Sequence, residues 1–184
     1  ELCTGQYLDL SFESLPRVTV TEYERMIRGK TGALLSGAVA AGAILAGVDD
    51  KIVRRYAAFG MELGLAFQIT DDILGIWGDP DVTGKSAASD ILARKKTYPV
   101  LYALAAEAAR GDVELHTLYA EELTPDVVPQ VLRLLTLAEA REAAETRARE
   151  HLGRALVQLG ATRGSGAAYD ALRHLAFSLA ERSA

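Results

Sequence analysis

The chain has 184 residues, enough for one domain with a sizeable core and too few for two comfortable ones, so residues 1–184 read as a single domain. With 49% apolar and 24% charged residues and frequent Ala and Leu, the composition excludes a disordered chain and suits a helical one. A formal charge of -5 speaks against a nucleic-acid binder, which needs a net basic face. Cys3 is the only cysteine, which excludes a disulfide framework or thiolate metal site and points to a reducing, cytoplasmic home.

Almost every segment keeps a helical period, and no stretch alternates as a strand does. The opening ELCTGQYLDLSFE lacks the order of a signal peptide and begins as if already inside a helix, which suggests that something upstream is missing. Thr21 to Glu24, TEYE, reads as a capping box that starts a helix through Tyr23, Met26 and Ile27. Thr31 to Val48 carries no charge over eighteen residues, nominally a membrane span, but Ala and Gly dominate it, and a buried core helix is the expectation. Asp49 and Asp50 are expected to cap the long helix that follows. Gly78 to Gly84 is the clearest loop, Gly111-Asp112 is another break, and Thr124-Pro125-Asp126 reads as a helix start with Pro at its first position. Ala140, Ala144, Ala148, Leu152 and Leu156 mark an apolar stripe, with the charges of AREAAETRARE read as a solvated face. Gly160 to Gly166 leads into a last amphipathic helix through Leu172, Leu175, Phe177 and Leu179. His116, His151 and His174 lack metal-ligand spacing and read as surface or packing residues, and Trp77 reads as an anchor of its helix end.

One stretch stands out: FQITDDILGIWGDPDVTGK, Phe67 to Lys85, places two adjacent carboxylates in an apolar helix and then breaks into a loop ending on lysine. It is not a phosphate-binding P-loop, because five residues separate Gly78 from Gly84 where that motif needs four, and a helix precedes it rather than a strand. On a helix, Asp71 and Asp72 diverge by about 100°, Gln68, Asp71 or Asp72 and position 75 fall along one face, and Gln68 with the two acids makes a polar stripe. Lys30 stands upstream; Lys85, Asp90, Arg94, Lys95 and Lys96 follow. Carboxylates on one wall with lysines converging suit a metal ion held together with a polyanion, and hard oxygen ligands suit magnesium. Spacing alone equally allows exposed helix ends with solvated charges.

FQITDDILGIWGDPDVTGKSAASDILARKKTYPV resembles the second aspartate-rich region of the trans-isoprenyl diphosphate synthases, the polyprenyl synthetase family. GQYLDLSFE (Gly5 to Glu13) and YERMIRGKTGALL (Tyr23 to Leu35) agree with that family in order and spacing. The resemblance implies an all-α, isoprenoid synthase-type helical bundle around a central cavity, without the family's N-terminal helices. It implies a magnesium-dependent prenyltransferase that condenses isopentenyl diphosphate with an allylic prenyl diphosphate, expected as a homodimer with no nucleic-acid partner and no integral membrane segment. Asp71 would bind Mg2+ directly, with Asp72 assisting. Lys30, Lys85 and Lys95 would hold the allylic diphosphate, with Thr31 and Gln68 nearby and Gln6 facing the prenyl chain or its diphosphate. The carboxylates would serve as metal ligands, not general bases. Gly32, Gly37 and Gly42 would let helices pack closely beside the cavity.

Two departures matter. The motif's fifth position is Gly75 where the family has an acid, and the expectation is that Gly75→Asp is tolerated. The family's first aspartate-rich motif is absent from these 184 residues, so the chain reads as the C-terminal portion of a synthase, a fragment or one that works with another polypeptide. A noncatalytic partner of a full-length synthase and a terpene cyclase of the same fold are the alternatives.

Overall fold

A computed structural model describes residues 1–79 and 88–180. These residues form ten α-helices and one π-helical turn: α1 (Leu2–Ser14), α2 (Val20–Ile27), the π-turn Arg28–Gly32, α3 (Ala33–Leu45), α4 (Asp50–Trp77), α5 (Ser89–Leu92), α6 (Tyr98–Arg110), α7 (Glu114–Ala120), α8 (Val128–Leu137), α9 (Ala140–Gly160) and α10 (Ala167–Ala180).

The organising element is α4, 28 residues long. Asp49 caps it as expected, its side chain accepting from the Ile52 N–H at 2.9 Å. Its apolar residues enter three core clusters in turn: Phe59 and Leu63 pack with Leu159 and Ala176, Leu65, Ile69 and Ile73 with Tyr23 and Ile27, and Ile76 with Ile91, Val100 and Leu135. α3 and α9 are its principal neighbours. No helix among the described residues is long and apolar enough to cross a membrane.

Several local expectations need correction. The capping box lies two residues earlier than TEYE: Thr19 Oγ1 accepts from the Glu22 N–H at 3.2 Å, and the Glu22 carboxylate accepts from the Thr19 N–H at 2.8 Å. Pro125 sits in a turn, and the helix starts only at Val128. The stripe on α9 drifts, because a strict four-residue step advances about 40° around a helix. Beyond Ala148 the buried line therefore passes through His151, Ala155 and Leu159 rather than Leu152 and Leu156. On α10, Ala176 is buried while Leu175 and Phe177 are exposed.

The largest correction concerns α3. Only Ala43 is buried on it, and Leu34, Ile44 and Leu45 are exposed. Gly37 and Gly42 face open space, so neither supports a close approach, whereas Gly32 meets Gly64 and Met61 of α4. α3 packs through one side only, by way of Gly60, where a Cβ would come within 2.6 Å of the Leu35 carbonyl oxygen.

Candidate functional site

The polar stripe of α4 opens onto a cavity of about 240 Å³ lined by residues of α1, α2, the π-turn, α4 and the segment from Asp90 to Thr97. Asp72 is its fixed point. The carboxylate is 5% exposed, and Oδ2 accepts from the Tyr23 hydroxyl at 2.6 Å and from the Tyr98 N–H at 2.9 Å. Tyr98 opens α6, so Asp72 satisfies a backbone donor that no turn of that helix can reach and sits at the positive end of its dipole. A side-chain relay holds the other oxygen: Thr31 donates to Gln68 Oε1 at 2.7 Å, and Gln68 Nε2 donates to Asp72 Oδ1 at 3.2 Å. Burial is the dominant influence on Asp72 and pushes its pKa from 3.8 to about 7, against the pull of those three donors. Asp71, one residue earlier, is exposed and lines the cavity mouth.

The lysines arrive with acidic partners. Lys30 sits on the π-turn, a geometry often found at functional sites, and donates to Asp9 Oδ2 at 2.6 Å. α1 lies directly on that turn: a Cβ on Gly5 would come within 2.7 Å of the Lys30 Cα, so only glycine allows Asp9 to reach Lys30. Lys95 donates to Asp90 Oδ1 at 2.6 Å. Burial pulls the Lys95 ammonium down, but the Asp90 bond and charge outweigh it, and its pKa ends above the ordinary lysine range. Thr97, 3% exposed, lines the cavity with a hydroxyl that has no partner among the described residues.

Of the residues singled out in the sequence, Lys30, Gln68, Asp71, Asp72 and Lys95 line this one cavity. Thr31 orients Gln68 from behind, and Gln6 is exposed on α1 outside the lining. Lys85 lies outside the described residues, as does most of the expected Gly78 to Gly84 loop. Asp9 and Tyr23 were missed as participants, although both stand in the stretches quoted for the resemblance. A carboxylate next to a lysine-bearing motif and a tyrosine in an acid-rich setting were the available signals.

The packing around Gly75 argues against the expected tolerance of Gly75→Asp. A Cβ there would lie within 2.6 Å of the Asp90 Cγ and closer still to Oδ2, and Asp90 is 5% exposed. Asp90 fills the space that a side chain at position 75 would need, so Gly75→Asp would force two buried carboxylates together. Among the histidines, His116 and His174 are exposed, and His151 is buried with Nδ1 2.8 Å from Glu62. Trp77 is half-buried at its helix end, with the Arg141 guanidinium 5.9 Å over its ring. The charged face of α9 is partly tied down, since Arg147 reaches Glu24 of α2 at 2.6 Å.

Among the described residues, no three acidic, histidine or cysteine side chains converge closely enough to hold a metal ion by themselves. Asp71 and Asp72 could supply one or two hard oxygens. That set fits magnesium, which keeps several waters and bridges carboxylate to phosphate, better than a cation needing a full protein cage.

The fold and this cavity define an all-α protein of the isoprenoid synthase type. A solved polyprenyl synthetase from Streptomyces coelicolor superimposes with a TM-score of 0.82 at 38% identity over 98% of this chain and 54% of that one. The geranylgeranyl pyrophosphate synthase of Corynebacterium glutamicum, solved with isoprenyl diphosphate and magnesium, gives 0.88 at 27% identity over 98% and 52%. The polyprenyl synthetase family model matches residues 1–135, and the geranylgeranyl diphosphate synthase of Mycobacterium tuberculosis is 41% identical over 161 residues, 86% of this chain and 46% of that protein. The chain belongs to the polyprenyl synthetase family and spans about half the length of these relatives.

Proposed function

We propose that the chain is the C-terminal, diphosphate-binding portion of a magnesium-dependent prenyltransferase that joins isopentenyl diphosphate to an allylic prenyl diphosphate. The observation that carries this reading is the division of labour between adjacent acids. Asp72 is locked by Tyr23, Tyr98 and Gln68, while Asp71 stands exposed at the mouth of a cavity that Lys30 and Lys95 also line. Asp71 is the ligand in this reading and Asp72 the fixed support behind it. Lys30 and Lys95 each keep one N–H on Asp9 or Asp90 and turn the others toward diphosphate oxygens.

When bound, magnesium would supply a divalent charge shared between carboxylate and diphosphate oxygens. The lysines stabilise the negative charge that grows on the leaving group as the allylic carbon–oxygen bond breaks. The new carbon–carbon bond forms from the double bond of isopentenyl diphosphate, and the departing diphosphate takes the proton released. In this reading no carboxylate of the chain acts as a base, since Asp72 is occupied by donors and Asp71 by the cation.

The test is intact mass of the purified protein together with product formation from isopentenyl and allylic diphosphates, with and without magnesium. Magnesium-dependent prenyl products that disappear in Asp71→Ala and Lys30→Ala support the proposal. Diphosphate binding without turnover at a mass of 184 residues would leave a diphosphate-binding fragment or a partner subunit, and the search would move to the chain that supplies the missing metal motif. No diphosphate binding at all would refute both.

A further inference from the structure

A cleft of about 630 Å³ lies between α2, α6 and α9. It shares no lining residue with the cavity of Asp71 and Asp72, and neighbours in sequence divide between the two: Tyr23 and Thr97 line that cavity, Glu24 and Tyr98 the cleft. Glu24, Glu139, Glu142 and Glu150 line the cleft against one cation, Arg147. Arg147 bonds Glu24 at 2.6 Å and Glu150 at 2.8 Å. Among the described residues, the side chains of Glu139 and Glu142 are exposed and have no ionic or hydrogen-bonding partner, so the cleft keeps an unbalanced negative charge.

Acidic surface alone is common, and Tyr98 is what distinguishes this cleft. Its side chain is 7% exposed, with the ring edge-on to Tyr23 at 6.0 Å and stacked with Tyr102 at 6.5 Å. Its hydroxyl bonds nothing among the described residues, yet it keeps accessible surface at the cleft. Burial holds the Tyr98 pKa above the ordinary tyrosine range, Arg147 pulls it down, and Glu24 and Glu150 push it up, so the hydroxyl is neutral and stands among the charges of the cleft. Such a hydroxyl can accept from an ammonium group, and the exposed ring of Tyr102 offers a second face to a cation. The spread of the charge decides the kind of cation. Among the described residues no three acids converge on one point, whereas Glu142 and Glu150 lie eight residues apart on α9, about 12 Å along its axis. Separated carboxylates with a hydroxyl and an aromatic ring suit several ammonium groups spaced along a flexible apolar chain better than a single metal ion. We propose that the cleft binds a linear polyamine, with one ammonium group on Glu139 and Glu142 and another on Glu150 and the Tyr98 hydroxyl. The site does not depend on the proposed prenyl transfer.

The test is calorimetric titration with spermidine, and with putrescine as the shorter diamine, without magnesium and at about 0.15 M salt, where diffuse attraction to an acidic chain is largely screened. Spermidine is expected to bind more tightly than putrescine. Its affinity is expected to fall severalfold in Tyr98→Phe and about tenfold when Glu139→Gln and Glu142→Gln are combined, the scale of one lost hydrogen bond and of two lost ion pairs. Glu121→Gln combined with Glu122→Gln removes the same charge at exposed positions outside the cleft and is expected to leave binding unchanged, as is Asp71→Asn. Absence of spermidine binding would overturn the proposal, as would unchanged affinity in Tyr98→Phe. Equal weakening by the two double variants would overturn it by reducing the effect to net charge. So would weakening in Asp71→Asn with none in the cleft variants, which would place the cation beside Asp71. Tyr98→Phe removes a hydroxyl without a partner among the described residues and keeps the backbone N–H on Asp72, so its loss of affinity reads the cleft and not the fold.

Discussion

Gly75→Ala isolates the contact between α4 and Asp90. In an unobstructed helix the substitution stabilises by about 1 kcal/mol, since alanine loses less backbone freedom on folding. Here the new methyl group would fall within 2.6 Å of the Asp90 Cγ, and that side chain is buried and bonded to Lys95 at 2.6 Å. Displacing it costs on the order of 1–3 kcal/mol of overpacking, plus part of the ion pair. The net expectation is destabilisation of about 1–2 kcal/mol, with more for Gly75→Asp, which adds a second buried carboxylate. The assay is urea unfolding of the four proteins in a double-mutant cycle with Asp90→Ala. Once the Asp90 carboxylate is gone, the nearest remaining obstacle is its Cβ at 3.3 Å, and Gly75→Ala should become neutral or stabilising. An unchanged penalty in the Asp90→Ala background would refute the idea that Asp90 fills this space.

Gly60→Ala is expected to destabilise by several kcal/mol, because the obstacle is the α3 backbone, with the Leu35 carbonyl carbon at 2.8 Å; Gly37→Ala, facing open space on the same helix, should stabilise by about 1 kcal/mol in thermal unfolding. Asp49→Ala removes the α4 cap at Ile52 and should cost about 1 kcal/mol by the same measurement. Asp72 titrates near 7 in the fold and 3.8 outside it, so its contribution is fully present below pH 4 and lost as pH rises to 7, on the order of 4 kcal/mol in the metal-free protein. Chemical denaturation across that range should show the loss, Asp72→Asn should flatten it, and an Asp72→Asn curve that still falls as steeply would exclude this residue as the cause.

The helical class, the Asp49 cap, the break at Gly111 and the grouping of Lys30, Gln68, Asp71, Asp72 and Lys95 were legible because each depends on local pattern or an ordered motif. The exposure of α3 was not, since an uncharged Ala and Gly helix carries no sign of which side meets a neighbour. The packing at Gly75 was hidden for the same reason. The residue that decides its tolerance is Asp90, fifteen positions later in the sequence, and no periodicity links the two. Tyr23 became visible as a partner of Asp72 only when α2 crossed α4, 49 residues apart in sequence. Among the described residues, motifs yielded the charged groups while the fold supplied the groups that hold them.

That distinction explains how an apolar helix tolerates adjacent carboxylates. Two ionised acids on neighbouring residues repel, and burying both would be prohibitive without a cation. The helix turns them about 100° apart, so one enters the core and the other meets solvent. Asp72, on the inner side, is offset by a tyrosine hydroxyl, an amide side chain and the first N–H of α6, and burial still raises its pKa against these donors. A cation at the cavity mouth would complete that compensation by drawing the proton from Asp72 while bonding Asp71. Cation binding and ionisation of Asp72 are therefore linked, so affinity for magnesium should fall as pH drops below about 7, with proton uptake on release. Calorimetric titration in buffers of different ionisation enthalpy reads that proton directly. Magnesium binding at neutral pH with no proton released would mean that Asp72 stays outside the cation's field and that Asp71 acts without it.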